Sequence, residues 1–569
     1  MGKPGVIQVA MKKLCLESYI ALWIDALIVM SFLGGMRVVR GARDTVDDAS
    51  MTIQPEAIRA DMRFLADDLL EGRATGARGH EIAARFMASK FEAMGLEPAG
   101  ENGTYFQTVP LRSVRPDEVH TTLSIVRGGI EQALTFRRDF VSGGNPGRKE
   151  TSVEAPIVYV GYGVTAPEQK YDDYAGVETK GKIVAYVYGA PPRFESTIRA
   201  HYSSNILKAE NASGHGVVGT ILLDSPALEQ YYSFQDRVSD LAFPGLRWLN
   251  AQGQPNDYFP ALRGTAILNM ASTAKVLEGT GKSPDEIYAA AKEGKPLSLP
   301  LPVTAKLKIV SKLEDLHSPN VVARLQGSDP KLRDEYVVYT AHLDHLGIGE
   351  PVNGDNIYNG ALDNASGSAC LLEIARAYSQ VKPRPRRSIL FVSVTGEEEG
   401  LLGSDYFARY PTVSKDGLVA NINMDGAPLL FPIEDVVARG AEHSTLDVAV
   451  RDAAARLKLD VSPDPYPEQV LFIRSDQYSF VKQGIPSLFL SSGKKSSSPN
   501  IKPEEIRRAW IATKYHKPQD DMNQPFDFES GAKFARYSFL VGYLIAQQNN
   551  RPEWNSRDFF GEHYGKRKD

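Results

Sequence analysis

His342, Asp363, Glu398, Asp425 and His516 stand in the contexts A-H-L-D-H, G-A-L-D-N-A-S-G, G-E-E-E-G, N-M-D-G and Y-H-K-P-Q-D. Each places a histidine or carboxylate beside glycine or turn residues, the usual setting at the end of a buried strand. Two histidines and three carboxylates form a ligand set that lets two divalent ions share one carboxylate and one water. The charges agree with this. Two divalent ions bring four positive charges, three carboxylates and a bridging hydroxide cancel them, and the imidazoles stay neutral. One histidine and one unshared carboxylate per ion, plus the common aspartate, leave positions open for water and substrate. The chemistry such a set supports is metal-assisted hydrolysis.

Each residue also has a plainer reading. His342 ends a predicted strand, and Asp344, two positions on, points to the same side. Asp344 could therefore hydrogen-bond the imidazole nitrogen that faces away from a metal. His345 is a weaker competitor for the ligand role. Asp363 alone would cap the helix predicted over Ser366–Gln380; among four other ligands it becomes the bridge. Glu397, Glu398 and Glu399 alone would be a solvated turn. Directly after an apolar strand, though, three adjacent carboxylates repel unless cations offset them. Neighbouring side chains diverge, so one glutamate can bind metal while the next moves a proton. His516 alone would be a surface residue, and Asp520 or Asp521 is expected to orient it.

Helices are predicted over 55–70 and 79–94. Ala83, Met87, Phe91 and Met94 of the second recur at helical spacing, and Gly95 follows as a cap. Short strands are expected at 157–160, 183–188 and 217–223, with a helix at 206–213. His201 and His215 in that block are isolated and are assigned surface or capping roles. After Thr304, strands at 335–341, 388–394, 418–423 and 486–490 alternate with helices at 366–380 and 529–546. This predicts an α/β fold with a mainly parallel sheet covered on both faces. In such sheets sites lie beyond the carboxyl ends of the strands, where His342, Glu397, Glu398 and Asp425 fall. The expected organisation is a leader at 1–45, a split α/β domain at 46–143 and 304–550, an inserted β-rich block at 144–303 and a polar tail at 551–569.

With 569 residues, 42% hydrophobic and 24% charged, the chain suits a folded protein of more than one domain. The net charge is -5 and no basic stripe stands out, so nucleic acid is excluded as an expected partner. Cys15 and Cys370 are the two cysteines, which argues against a structural disulfide and a thiolate metal site. Lys12 and Lys13 precede an apolar stretch at 19–36, interrupted by Asp25. It reads as a signal peptide or membrane anchor, so the protein is expected to be exported.

The five motifs together resemble the co-catalytic zinc exopeptidases of the bacterial leucyl aminopeptidase and glutamate carboxypeptidase II type. L-E-G-R-A-T-G-A-R-G and M-G-L-E-P-A-G resemble that family's leading segment. D-Y-A-G-V-E-T-K-G-K-I-V and K-A-E-N-A-S-G-H-G-V-V-G resemble a protease-associated domain. The resemblance implies two zinc ions, with manganese or cobalt as substitutes, and peptide substrates. It implies that Asp363 bridges, that His342 and Asp425 complete one site, and that Glu398 and His516 complete the other. Glu397 would be the general base and Asp344 the partner of His342. This register rests on Gly400-Leu401-Leu402-Gly403-Ser404; a shift of one would pass the roles to Glu398 and Glu399. A cis peptide is implied at Asp363-Asn364. The family's oxyanion tyrosine precedes a Ser-Asp pair by three residues. Here Ser475-Asp476 is preceded by Phe472, so Tyr478, Tyr466 and Arg474 are the substitutes. An aminopeptidase is the leading expectation. A carboxypeptidase or dipeptidase, with Arg474 holding the substrate carboxylate, is the alternative. A receptor-like protein with a silent scaffold is a further one, and the full ligand set argues against a single-zinc glutaminyl cyclase.

Overall fold

A computed structural model describes residues 46–565. Cys15, the apolar stretch 19–36 and the last four residues lie outside them. Among the described residues no helix is long and apolar enough to cross a membrane.

Four parallel strands form the centre of the main sheet: Ser388–Val394, Tyr336–His342, Leu418–Met424 and Ser487–Ser492, side by side in that order. The first three are buried along their whole length. Near-continuous runs of Val, Ile, Leu and Phe suit strands covered on both faces. One face packs against Pro55–Leu65, Arg78–Ala93, Ser366–Gln380, Asp447–Leu457 and Phe528–Gln547. The other carries Phe407 and Phe480, from the helices Leu402–Arg409 and Gln477–Val481. Antiparallel strands flank the parallel centre on both sides.

The inserted block hangs from one strand, Ser298–Leu325, which is 28 residues long. Its first half pairs with Thr122–Arg127 and Glu150–Val160; its second half pairs with Phe106–Pro116 and Ser388–Val394. The two sheets thus share a strand, and no boundary falls at 303/304. Nor does the block begin at Gly144. Thr122–Arg127 and Ile130–Leu134 form a hairpin of the inserted sheet. Its turn is Gly128-Gly129, with φ of 56° and 83°, the backbone a tight hairpin turn needs. The block is also less purely β than its sequence texture suggests. Parallel strands Ile183–Val187, Gly219–Leu223 and Thr265–Leu268 alternate with helices such as Asn205–Gly214 and Met270–Leu277.

Residues 551–565 are not a loose polar tail. They include a helix, Phe559–Tyr564, whose Phe560 is completely buried. Four aromatic residues, Trp554, Phe559, Phe560 and Tyr564, carry this packing in an otherwise polar segment, too short a signal for a periodicity reading.

Candidate metal centre

The strand ends deliver the site. His342 is the last residue of its strand, and Asp425 directly follows Leu418–Met424. Glu397 and Glu398 lie three and four residues beyond Val394. Asp363 sits in the turn that leads into Ser366–Gln380, and its peptide bond to Asn364 is cis.

The two carboxylate oxygens of Asp363 face different partners. Oδ1 is 3.2 Å from His342 Nε2, which is also 3.3 Å from Asp425 Oδ1. Oδ2 is 3.4 Å from His516 Nε2, which is also 3.2 Å from Glu398 Oε2. The structure therefore brings all five residues together as two histidine–carboxylate pairs, one on each side of Asp363.

The charges are lopsided. Burial alone would lower His516, yet Glu398 and Asp363 raise it to about 10. Burial likewise opposes protonation of His342, but Glu397 and Asp425 drive it well above the usual imidazole range. Burial would raise Glu398, but His516 draws it down to about 2. Burial, Asp425, Glu398 and Asp476 push Glu397 well above the carboxylate range. The carboxylates call for more positive charge than two imidazoles supply, which is the deficit divalent cations would fill. His516 Nε2 is buried with no hydrogen-bond partner despite these short distances, as a ligand nitrogen directed at an ion would be. The donor set, neutral imidazole and carboxylate oxygen, suits zinc.

Hydrogen bonds hold these side chains in place. His342 Nδ1 donates to the backbone carbonyl of Asp344 at 3.2 Å, which leaves Nε2 free as a ligand. The Asp344 carboxylate stays 4.0 Å from that ring. It accepts instead from the backbone amides of Glu397 and Glu398, at 3.2 and 3.3 Å. So Asp344 fixes the glutamate turn, and its main chain rather than its side chain orients His342. Ser475 Oγ donates to Asp425 Oδ2 at 2.7 Å, and Asn423 Nδ2 donates to Ser475 Oγ at 2.7 Å. His345 Nδ1 lies 2.6 Å from Glu398 Oε1, gripping the oxygen that His516 does not face.

Asp520 and Asp521 do not orient His516. Asp520 accepts the amides of Leu362 and Asp363 and so holds the Asp363 turn. Asp521 accepts from Asn523. The His516 ring instead stacks on Tyr515, with centroids 3.9 Å apart.

Two of the three substitute oxyanion residues are placed elsewhere. Tyr478 hydroxyl lies 2.8 Å from His201 Nδ1, a buried contact with the inserted block. That also overturns the surface role for His201, which is 1% exposed. His215 does follow its helix as the C-cap. The Tyr466 ring lies between Lys494 and Arg507, 4.4 and 4.1 Å from its centroid. Arg474 remains near the site, close enough for its charge to act on Tyr515. Tyr515 itself was missed. Burial first, then Asp363 and Glu398, raise its hydroxyl well above the usual phenol range. Its one sequence signal is its place directly before His516.

Arg73 was missed too. Fully buried, it donates to the carbonyls of Leu343, Asn359 and Gly360 at 2.8, 2.6 and 3.0 Å, and to that of Leu65. It staples the chain after His342 to the chain before Asp363. The inserted block reaches the same loop, where Phe243 packs on Tyr358 with centroids 5.9 Å apart.

The structure is thus a mainly parallel α/β sheet with imidazoles and carboxylates converging beyond its strand ends. Residues 320–539 match the family model described as Peptidase family M28. Aminopeptidase NAALADL1 of Rattus norvegicus is 25% identical over 390 residues, 58% of this chain and 44% of that protein. A probable glutamate carboxypeptidase of Arthroderma benhamiae is 26% identical over 450 residues, 70% of this chain and 57% of that protein. The chain thus spans about half the length of these two relatives. The aminopeptidase from Aneurinibacillus sp. strain AM-1 shares the fold: TM-score 0.50 at 19% identity, covering 90% of this chain and 97% of that one.

Proposed function

We propose that this chain is a zinc-dependent exopeptidase that uses two ions, and specifically an aminopeptidase acting on free peptide N-termini. The observation that carries the proposal is Asp363, whose two oxygens each face one histidine and one carboxylate. His342, Asp363 and Asp425 would hold one ion, and Asp363, Glu398 and His516 the other. Bound there, the ions supply an activated water and polarise the scissile carbonyl.

The chain's own groups do the rest. Glu397 stands beside the ligands without being one of the five. Its carboxylate takes a proton during attack and returns it to the leaving amine. Its amide, like that of Glu398, is tied to Asp344, so base and ligand move as one unit. Tyr515 is the phenol placed to donate to the developing oxyanion. Two findings favour aminopeptidase activity: the fold shared with a bacterial aminopeptidase and the likeness to NAALADL1. A carboxypeptidase reading is favoured by Arg474 near Tyr515 and by the relative named as a probable glutamate carboxypeptidase.

The separating experiment is a panel of free and N-blocked peptides, assayed with and without chelator, with bound metal counted. Cleavage of free-amine peptides alone, lost with chelator and restored by zinc, supports the proposal. Cleavage of N-blocked peptides would replace it with the carboxypeptidase reading, and two bound ions without turnover would leave a silent scaffold. We assign the inserted block to the protease-associated type on its motifs. The stretch 19–36 supports export or membrane anchoring, which fractionation of the expressed protein tests.

A further inference from the structure

The segment after Asn550 is stitched to the peptidase sheet and to the inserted block at once. Arg551 donates to the carbonyls of Asp416 and Leu418 at 2.7 and 2.9 Å, at the start of a central strand. Trp554 Nε1 donates to Gly484 carbonyl at 2.9 Å. Asp558 caps the final helix through the amides of Phe560 and Gly561, and its other oxygen lies 2.5 Å from His443 Nδ1. Phe560 then enters the peptidase core, 5.0 Å from the His443 ring and 5.3 Å from Phe472.

The same short helix also meets the inserted block. Phe559 lies 5.2 Å from the His201 ring and 6.2 Å from Tyr202. Tyr564 hydroxyl is 3.4 Å from His201 Nδ1 and 3.5 Å from Tyr478 hydroxyl. His201 and Tyr202 belong to the block's helix Ser196–Ser203, whose Ser196 also donates to Pro467 carbonyl at 2.9 Å. The aromatic cluster around Phe560 includes Leu401 and Ile473. Leu401 follows Glu398 by three residues, and Ile473 precedes Ser475 by two.

We infer that residues 551–565 are a clasp that fixes the inserted block against the peptidase domain and braces the glutamate turn and the Ser475 loop. The segment is then a positioning element for substrate binding, a consequence that rests on the peptidase reading above. Two adjacent phenylalanines, their ring centroids 5.1 Å apart, divide the contacts. Phe560 anchors the helix in the peptidase core, and Phe559 grips the block. The clasp's aromatic and capping contacts are with His443, Phe472, His201, Tyr202 and Tyr478, none of them one of the five candidate ligands, so releasing it should spare the metals.

The test compares wild type with Phe559→Ala and Tyr478→Phe in the full-length, zinc-loaded protein. Phe559 is partly exposed, so its truncation leaves the core intact. Amide hydrogen exchange is read across Ser196–Ser203, metal content is counted, and KM and kcat are measured on an aminoacyl anilide and on a longer peptide. The clasp predicts exchange faster by about tenfold or more in Ser196–Ser203 for Phe559→Ala. It also predicts full metal content and a several-fold higher KM for the longer peptide, with kcat on the anilide little changed. Unchanged exchange in Ser196–Ser203 in both variants would overturn the inference. Exchange needs no turnover, so a protein that cleaves no peptide would sink the peptidase reading and leave the clasp still testable.

Discussion

Ser475 Oγ donates to Asp425 Oδ2 at 2.7 Å, and this bond fixes which oxygen of Asp425 turns toward His342. The serine is held in turn by Asn423, whose amide also donates to Gln477 Oε1 at 3.0 Å. Ser475→Ala removes the donor to Asp425 and strips Asn423 of an acceptor in a fully buried setting. Loss of a hydrogen bond that orients a ligand lowers metal affinity by about 10- to 100-fold. Competition with a chelator should show that loss for one of two ions, with the fold intact by circular dichroism. Two ions retained at wild-type affinity would mean that Asp425 is no ligand.

Glu397 and Glu399 flank Glu398, the proposed ligand, and should behave differently. Burial and the charges of Asp344 and Glu398 raise Glu399 to about 8, and it has Arg247 nearby as a counter-charge. Glu397 is pushed well above the carboxylate range by burial first, against the pull of His342 and with Asp425, Glu398 and Asp476 adding to it, so it lies on the His342 side of the site. Glu397→Gln should keep both ions and lower kcat by about 100- to 10,000-fold, the range for a missing general base. Glu399→Gln should change kcat little. If the two outcomes are exchanged, the roles shift by one residue along the turn.

Tyr515 and Tyr478 offer a similar contrast. Tyr515 is stacked on His516, while the hydroxyl of Tyr478 is engaged by His201. Tyr515→Phe should lower kcat by about 100- to 1,000-fold, as loss of one oxyanion donor does, with KM and metal content little altered. Tyr478→Phe should leave kcat on a small anilide near wild type. Equal kcat values for Tyr515→Phe and wild type would leave oxyanion stabilisation to the metals and Arg474.

The contrast between these tyrosines marks how far the sequence could be read. The central strands were legible because each carries an apolar run rich in β-branched and aromatic residues or leucine, and Ser366–Gln380 and Ser388–Val394 take the bounds their patterns predict. The five candidate ligands stood out by residue type and local context, which the sequence shows at each position separately, and folding brings them together. Partnership was not legible, because it depends on side-chain direction. Asp344 was expected to hold the imidazole two residues away, but its carboxylate reaches the amides of Glu397 and Glu398. Asp520 follows His516 by four residues and serves Asp363 instead. Arg73 acts only through backbone carbonyls brought close by folding, so no local pattern betrays it. The hairpin at Thr122–Leu134 was hidden because its outer face is polar and its partner strand lies over 170 residues away in the chain, by the rough measure of the Leu123–Leu307 pairing.

His201 links the clasp to acid stability. Burial, with a smaller contribution from His563, lowers its pKa from the ordinary 6.5 to about 3. In the folded protein it is therefore neutral over most of the acid range, and its Nδ1 lies 2.8 Å from the Tyr478 hydroxyl. The unfolded chain gains a proton at this residue below pH 6.5 and the folded one does not, so the unfolded state binds more protons. Stability must then fall as pH drops from 6.5 toward 3, by at most about 1.4 kcal/mol for each pH unit. Acid also protonates the metal ligands, so the contribution of His201 is read as a difference. Urea midpoints for wild type and His201→Gln, measured from pH 7.5 to pH 4.5 at equal zinc, should converge as pH falls, because glutamine takes up no proton in either state. Two curves that stay parallel across that range would show that His201 titrates alike in both states.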